Sequence, residues 1–297
     1  MIKIGIVGGS GYVAYNLINI LSKHNHSEIK TVASTSLEGK KISDQYKDIN
    51  LNLSFSKISI EELNKMNVVF LAVPHGKAEQ ITSKITCKII DISADHRLTQ
   101  TYGIPEIFHD KIEHSRIVAN PGCYATACIL SVYPLIEIAE NIVFNCISGY
   151  SGGGKKAGAK YSHEENIIAY KLNSHFHIPE MKKILGGNIA FTPHVVNTFR
   201  GIMCTTHLKL KTNIDVKEIK QKYRDFYNNT FTKVIENKIP CTKDVSHTPY
   251  CHIGGFEKDN NNIVIISVID NLMKGAASQA IENMNIMFGL NHKEGLE

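Results

Sequence analysis

The sequence predicts an α/β protein: a doubly wound, parallel-sheet nucleotide domain joined to an α+β domain with a largely antiparallel sheet. Three observations predict it. Short β-branched runs alternate with helix-length segments over about the first 120 residues, as βαβ units require. The first run enters a glycine-rich turn that opens directly into a helical pattern. Beyond residue 120 the apolar runs become longer and are separated by helical stretches.

The elements follow in order. IKIGIV at 2–7 is a short apolar strand, followed by Gly8-Gly9-Ser10-Gly11 and a helical pattern through Leu17, Ile20 and Leu21. IKTVAS at 29–34 reads as the second strand. NVVFLAV at 67–73 is continuously apolar, as in a strand covered on both faces, and KIIDIS at 88–93 and RIVAN at 116–120 look the same. A helix is expected from Cys123 to about Ala139. Residues 142–150, 201–211 and 262–270 read as longer strands, 215–229 as a helix, and GAASQAIENMNIMFGL as a final amphipathic helix.

Composition narrows the function. Of 297 residues, 43% are hydrophobic and 21% charged, which describes an ordinary globular chain. The net charge of +5 is spread without a basic run, so no nucleic-acid partner is expected. No apolar run approaches the roughly 18 residues of a membrane span, and the start reads as strand and turn rather than signal peptide. Seven cysteines at irregular spacings, with no C-x-x-C pair, argue against a disulfide framework and a zinc site and favour the cytoplasm. No metal is expected. Only four basic residues are arginines, Arg97, Arg116, Arg200 and Arg224, and each is a candidate for a fork that lysine cannot replace.

Gly8 and Gly11 form a G-x-x-G turn, with Ala14 small enough for close helix–sheet packing. The backbone around Ser10, Gly11, Tyr12 and Val13 would cradle a pyrophosphate at the helix start. After the second strand come Ser34, Thr35 and Ser36, with Lys40 and Lys41 beyond and Glu38 the one acid in that loop. Hydroxyls and positive charge suit a 2′-phosphate, so NADP is favoured over NAD.

Pro121-Gly122 turns the chain out of a strand and places Cys123 at a helix start. The helix dipole there favours the thiolate, and N–H groups of the same turn could hold an oxyanion. The competing reading is a buried, inert thiol, which fits Cys128, Cys146 and Cys204. His175-Phe176-His177-Ile178-Pro179-Glu180 offers a metal site, a surface pair, or an acid/base oriented by Glu180; no further ligand pair at suitable spacing joins it for a metal. Alternate residues point apart, so one histidine is expected to face the sulfur and the other to hold substrate oxygens, with His175 preferred as the base. Gly149 to Lys155 matches G-x-x-x-x-G-K, but Lys156 stands where Ser or Thr is needed, so this reads as a flexible substrate loop.

GGSGYVA, AVPHGKAE, IIDISADHRL, YGIPE, ANPGCYATA, SGYSGGGKKAG, HFHIPEM, FRGI and DNLMKGAASQAIENMN run nearly end to end. Through them the chain resembles the semialdehyde dehydrogenase family, in its N-acetyl-γ-glutamyl-phosphate reductase branch of the arginine pathway. The resemblance implies a Rossmann-type NADP-binding domain at 1–122 plus 272–297, and a substrate-binding and oligomerisation domain at 123–271. It implies Cys123 as nucleophile, His175 and His177 as the active-site histidines, and Arg97 as the phosphate-binding arginine. Asn120, Ser151, Gly152, Lys155, Glu180 and Arg200 are the further substrate contacts expected. Pro74, His75 and Gly76 resemble the loop beside the nicotinamide, and Asn271, Lys274 and Gly275 match cofactor contacts. Two departures stand out: Cys-Tyr-Ala-Thr where Cys-Tyr-Pro-Thr is usual, and no arginine in Ser34-Thr35-Ser36. The expected activity is NADPH-dependent reduction of an acyl phosphate through a cysteine thioester, in a homodimer or homotetramer. The alternatives are the same chemistry on aspartyl or carrier-bound aminoadipyl phosphate, and a non-catalytic NADP-binding regulator.

Overall fold

The structure, a computed structural model, describes residues 1–155 and 165–297. Lys156, which interrupts the G-x-x-x-x-G-K pattern, lies outside them. The chain divides into two compact units, Met1–Pro121 with Ala276–Glu297, and Gly122–Gly275.

The first unit is built on six strands: β1 (Ile2–Val7), β2 (Ser27–Ala33), β3 (Val68–Leu71), β4 (Lys88–Asp91), β5 (Thr101–Tyr102) and β6 (Ile117–Ala119). They lie in the order β2-β1-β3-β4-β6-β5, and every neighbouring pair is parallel. Ile4, Ile6, Val68 and Phe70 pack on one face with Leu17, Ile18, Ala280, Ile281 and Met284. Val7, Val69 and Leu71 pack on the other with Leu63, Ala78, Ile81 and Ile85. Burial on both faces is why the β3 run is apolar without alternation. The chain leaves β1 for β2 on one side and returns through β3 on the other. That reversal makes the C-terminal ends of β1 and β3 the topological switch point, where open α/β sheets bind ligands.

The last helix, Ala277–Met287, differs from the amphipathic element expected, because all eleven of its residues are buried. Several of its polar side chains find internal donors or acceptors, although Ser278 Oγ, Gln279 Oε1 and Asn283 Oδ1 have no hydrogen-bond partner among the described residues. Gln279 and Asn283 donate to the Gly103 carbonyl (2.6 and 3.1 Å), Asn285 donates to the carbonyls of His292 and Glu294, and Glu282 faces His292 Nδ1 at 3.0 Å.

The second unit has a seven-stranded sheet of β7 (Ala139–Gly149), β8 (Ile167–Ala169), β9 (Asn188–Val196), β10 (Ile202–Leu210), β11 (Thr232–Ile235), β12 (Cys251–Asp259) and β13 (Asn262–Ile269). Its order is β11-β12-β13-β10-β7-β9-β8. Four of its six pairings are antiparallel, while β7–β9 and β11–β12 are parallel.

The helix Cys123–Val132 packs on β10 and β13, with every residue after Cys123 buried. It stops earlier than the sequence suggested. Pro134 has no N–H to donate to Leu130, so the chain tightens into a 3₁₀ turn over Tyr133–Ile138. The carbonyls left over at the helix end are taken by two buried phenols. Tyr227 donates to Leu130 O at 2.5 Å and Tyr223 to Ser131 O at 2.6 Å. Tyr227→Phe leaves the Leu130 carbonyl buried without that donor. It is expected to cost about 1–3 kcal/mol, read as a lower urea midpoint at unchanged m-value.

Candidate active site

The turn after β1 is shaped for close backbone approach. Gly8 has φ +94°, and a Cβ there would lie 2.2 Å from the Ala72 carbonyl oxygen. Gly11 caps the helix Tyr12–Leu21, which has neither a side-chain cap nor an acid in its first turn. Ser10, Gly11, Tyr12 and Val13 are partly exposed around that helix start. An uncapped helix N-terminus at a switch point fits an anionic pyrophosphate. Beyond β2, Ser34 is buried with its hydroxyl 3.5 Å from that of Ser36, while Thr35, Ser36, Lys40 and Lys41 are exposed. Glu38 pairs with Lys57 at 3.4 Å.

Pro74, His75 and Gly76 form an exposed loop after β3. His75 Nδ1 accepts the Ala94 N–H at 2.9 Å. Arg97 is buried, and its guanidinium donates to the carbonyls of Asn120 (3.0 Å) and Ile92 (3.2 Å). Asn120, also buried, donates to Ala276 O and accepts from Asn283.

In the second unit, Cys123 is the half-buried first residue of its helix, and Gly122 is the N-cap. The Gly122 N–H donates to Glu180 Oε2 at 3.0 Å. Glu180 Oε1 stands 3.8 Å from His177 Nε2, both side chains being almost fully buried. A Cβ at Gly122 would lie 2.2 Å from His177 Nε2 and 2.7 Å from Glu180 Oε1. The residue before the thiol is therefore in direct contact with an imidazole–carboxylate pair.

The two histidines do not point apart as alternation predicts. Their ring centroids are 4.6 Å apart, and both meet Tyr124 edge-on, at 5.6 and 5.9 Å. The reason is local: His175 lies in a turn, His177 begins the helix His177–Leu185, and Nδ1 of His175 curls back to accept the His177 N–H at 3.2 Å. That bond leaves Nε2 of a neutral His175 as the protonated nitrogen. The Tyr124 phenol donates to His194 O at 2.7 Å, and burial pushes its pKa far up, so it stays a neutral hydroxyl.

The segment before the last helix supports the same site. Gly275 packs against Cys123, since a Cβ there would lie 2.8 Å from the Cys123 Cβ and 2.6 Å from Asn271 O. Asn271 accepts the Gly201 N–H at 2.8 Å and donates to the buried Ser151 hydroxyl at 2.9 Å. Arg200 pairs with Asp270 at 2.7 Å. The Asp270 carboxylate also accepts the N–H groups of His247, Leu272 and Met273. Gly152 and Lys155 are exposed. Lys274 is fully buried, with Nζ 5.7 Å above the Phe231 ring. Among the described residues, the one group of three or more Cys, His, Asp or Glu side chains close enough to share an ion is Cys128, Cys146 and Cys204.

Residues 3–115 match the family described as semialdehyde dehydrogenase, NAD binding domain, and residues 123–271 match its dimerisation domain. The chain belongs to the semialdehyde dehydrogenase family. Within the family it is 38% identical to the N-acetyl-gamma-glutamyl-phosphate reductase of Thermoanaerobacter pseudethanolicus and 36% identical to that of Methanococcus vannielii. Both alignments span all of this chain and 98% of the relative. The fold is shared with aspartate semialdehyde dehydrogenases: the Candida albicans enzyme with NADP superposes at TM-score 0.81 and 18% identity, over 97% of this chain and 99% of that one. The type II enzyme of Vibrio cholerae, in complex with ASA, superposes at 0.79 and 18%, over 97% and 98%.

Sequence reasoning missed two residues with several polar or ring contacts in the second unit: Tyr124 and Asp270. Tyr124 and Asp270 adjoin residues that were singled out, but the role of each depends on contacts far away in sequence. Gly122→Ala would force His177 and Glu180 away from the Cys123 segment. Misplacement on the scale of 1 Å can cost about a hundredfold in rate. Turnover is expected to fall by about that factor, measured by steady-state kinetics.

Proposed function

We propose that this chain catalyses NADPH-dependent reductive dephosphorylation of N-acetyl-γ-glutamyl phosphate to N-acetylglutamate semialdehyde, through a thioester on Cys123. The observation that carries the chemistry is the contact of His177 and Glu180 with Gly122, one residue before a thiol at a helix start. The identity of the acyl group is supported by the names of curated relatives that align over the full chain. Residues 1–122 with 272–297 are assigned to the cofactor, and 123–271 to substrate and oligomerisation. A homodimer or homotetramer in the cytoplasm is the form expected. The dimerisation-domain match and the exposed Val143 and Ile147 on β7 support self-association.

The partial positive charge of the helix start favours an anionic sulfur at Cys123. His177, oriented by Glu180, takes the thiol proton, and the sulfur attacks the acyl carbon. Arg97 holds the phosphate as the carbon–oxygen bond breaks and the thioester forms. NADPH, when bound, supplies hydride to the thioester carbon. His177 gives a proton to the hemithioacetal oxygen and recovers it as the carbonyl re-forms, while sulfur leaves as thiolate. His175, with Nε2–H available as a donor, holds a substrate oxygen. This reverses the assignment favoured from sequence, because His177 is the ring against Gly122.

The deciding experiment is phosphate-dependent reduction of NADP by N-acetylglutamate semialdehyde, the reverse reaction. Wild type is expected to be active, and Cys123→Ala to lose turnover while still binding NADPH. An active Cys123→Ala would sink the covalent mechanism, and activity only with another semialdehyde would reassign the substrate.

Cofactor choice gives a separate expectation. The hydroxyls at 34–36 and the exposed Lys40 and Lys41 lie where a 2′-phosphate would sit, and Glu38 is engaged by Lys57. NADPH is expected to exceed NADH in kcat/KM by at least about tenfold.

A further inference from the structure

We propose that Asp95 is a positioning residue that fastens the loop after β3 to the turn carrying Arg97, so that the cofactor loop and the phosphate-binding arginine move as one piece. The inference rests on the cofactor and phosphate roles proposed above.

The carboxylate of Asp95 accepts three backbone N–H groups from the segment after β3. Gly76 donates to Oδ1 at 2.6 Å, and Ala78 and Glu79 donate to Oδ2 at 2.9 and 3.4 Å. Burial opposes the charged carboxylate, but these donors and the nearby His75 outweigh it and hold Asp95 below the usual carboxylate pKa, as expected of an ionised acceptor. The grip runs both ways, since the Ala94 N–H donates back to His75 Nδ1 at 2.9 Å. A second tie closes the far end of the same segment. Thr82 Oγ1 lies 3.2 Å from His96 Nε2, and His96 Nδ1 lies 2.6 Å from the buried Asp91. Residues 74–82 are thus fastened at both ends to residues 91–97.

The placement gives those bonds a purpose. Gly76 has φ +80° with open space where a Cβ would stand, so at that residue the path of the loop is set by its backbone hydrogen bond to Asp95. It follows β3, whose neighbour β1 ends at the Gly8 turn, and the two turns touch where a Gly8 Cβ would meet Ala72 O. A dinucleotide at this switch point would lie beside residues 74–77. Two residues beyond Asp95, Arg97 is fixed to Ile92 O and Asn120 O. One short turn therefore sets both the wall of the cofactor crevice and the guanidinium. For a hydride to reach a carbon whose phosphate Arg97 holds, those two positions must be set together.

The test is Asp95→Asn, which keeps size but removes the charge and one acceptor, with Asp95→Glu as the conservative variant. Melting temperature, the NADPH dissociation constant, the phosphate KM of the reverse reaction and amide exchange over residues 74–79 are measured for each. Asp95→Asn is expected to melt near wild type, to weaken NADPH and phosphate together by about tenfold each, the scale of one lost charged hydrogen bond, and to exchange faster at Gly76 and Ala78. Asp95→Glu should recover part of both constants. A folded Asp95→Asn with both constants within twofold of wild type, or with only one displaced, overturns the proposal. If wild type itself lacks the reverse reaction, the reading of the substrate fails. NADPH affinity and amide exchange still judge the clamp in that case, and normal values for both in Asp95→Asn overturn it.

Discussion

The hydrogen bond from the Gly122 N–H to Glu180 is the interaction on which the arrangement around Cys123 depends. Gly122 is the N-cap of the Cys123 helix, and no side chain of its own turn caps it. Its N–H is buried, as is the Glu180 carboxylate, and each would be costly without a partner. The bond satisfies both and, in doing so, brings the start of the helix His177–Leu185 to the residue before the thiol. Glycine is required at 122 because the imidazole and the carboxylate occupy the space of a side chain. Packing, capping and the placement of His177 are thus consequences of one contact between residues 58 apart in sequence.

Much of the architecture was legible because each signal was local. The βαβ alternation, the glycine turn after β1 and the Pro-Gly turn before Cys123 are readable from a few consecutive residues. Two of the strands that escaped carry contrary signals. β9 contains Pro193, and β12 contains Gly254 and Gly255, with a register shift between Gly254 and Glu257. Tertiary pairing overrode propensity in both. The helix after Cys123 is shorter than its continuing apolar pattern suggests, because Pro134 ends it. The site residues show the same division. Cys123 could be singled out from its turn, whereas the convergence of His175 and His177 on Tyr124 depends on a side chain bonding its own backbone two residues on. No periodicity encodes that. Asp270 and Asp95 matter because of the backbone donors that other segments bring to them.

The likeness to solved structures and the likeness to curated relatives carry different information. Aspartate semialdehyde dehydrogenases share the fold over nearly the whole chain at 15–18% identity, which leaves almost every side chain free to differ. Such a match shows how the two sheets are strung and is silent on the acyl group. Relatives at 36–38% identity align over the whole of this chain and carry one enzyme name. Asn271 bridges Gly201 and Ser151, so the loop after β7 and the turn before β10 are held by one amide.

Position, more than composition, separates the one thiol assigned to chemistry from the others. Cys128 is five residues along the same helix as Cys123, yet its environment is opposite. Its sulfur touches those of Cys146 and Cys204 at 3.5 and 3.6 Å, and the latter two are direct cross-strand partners on β7 and β10. Three sulfurs this close invite a metal reading. A three-thiolate site, however, needs three protons removed from groups with no exposure to water. Burial pushes the thiols of Cys128 and Cys146 well up, which opposes that loss. Burial acts the same way on Cys204, but hydrogen bonds from Cys128, Cys146, Thr206 and Ser267 outweigh it and pull that thiol down, while Cys128 and Cys146 pack as small, neutral groups between helix and sheet. Cys123 escapes this only because it is the first residue of the helix. One turn further on, the same side chain would face the sheet, and the dipole that favours its anion would be spent on backbone hydrogen bonds.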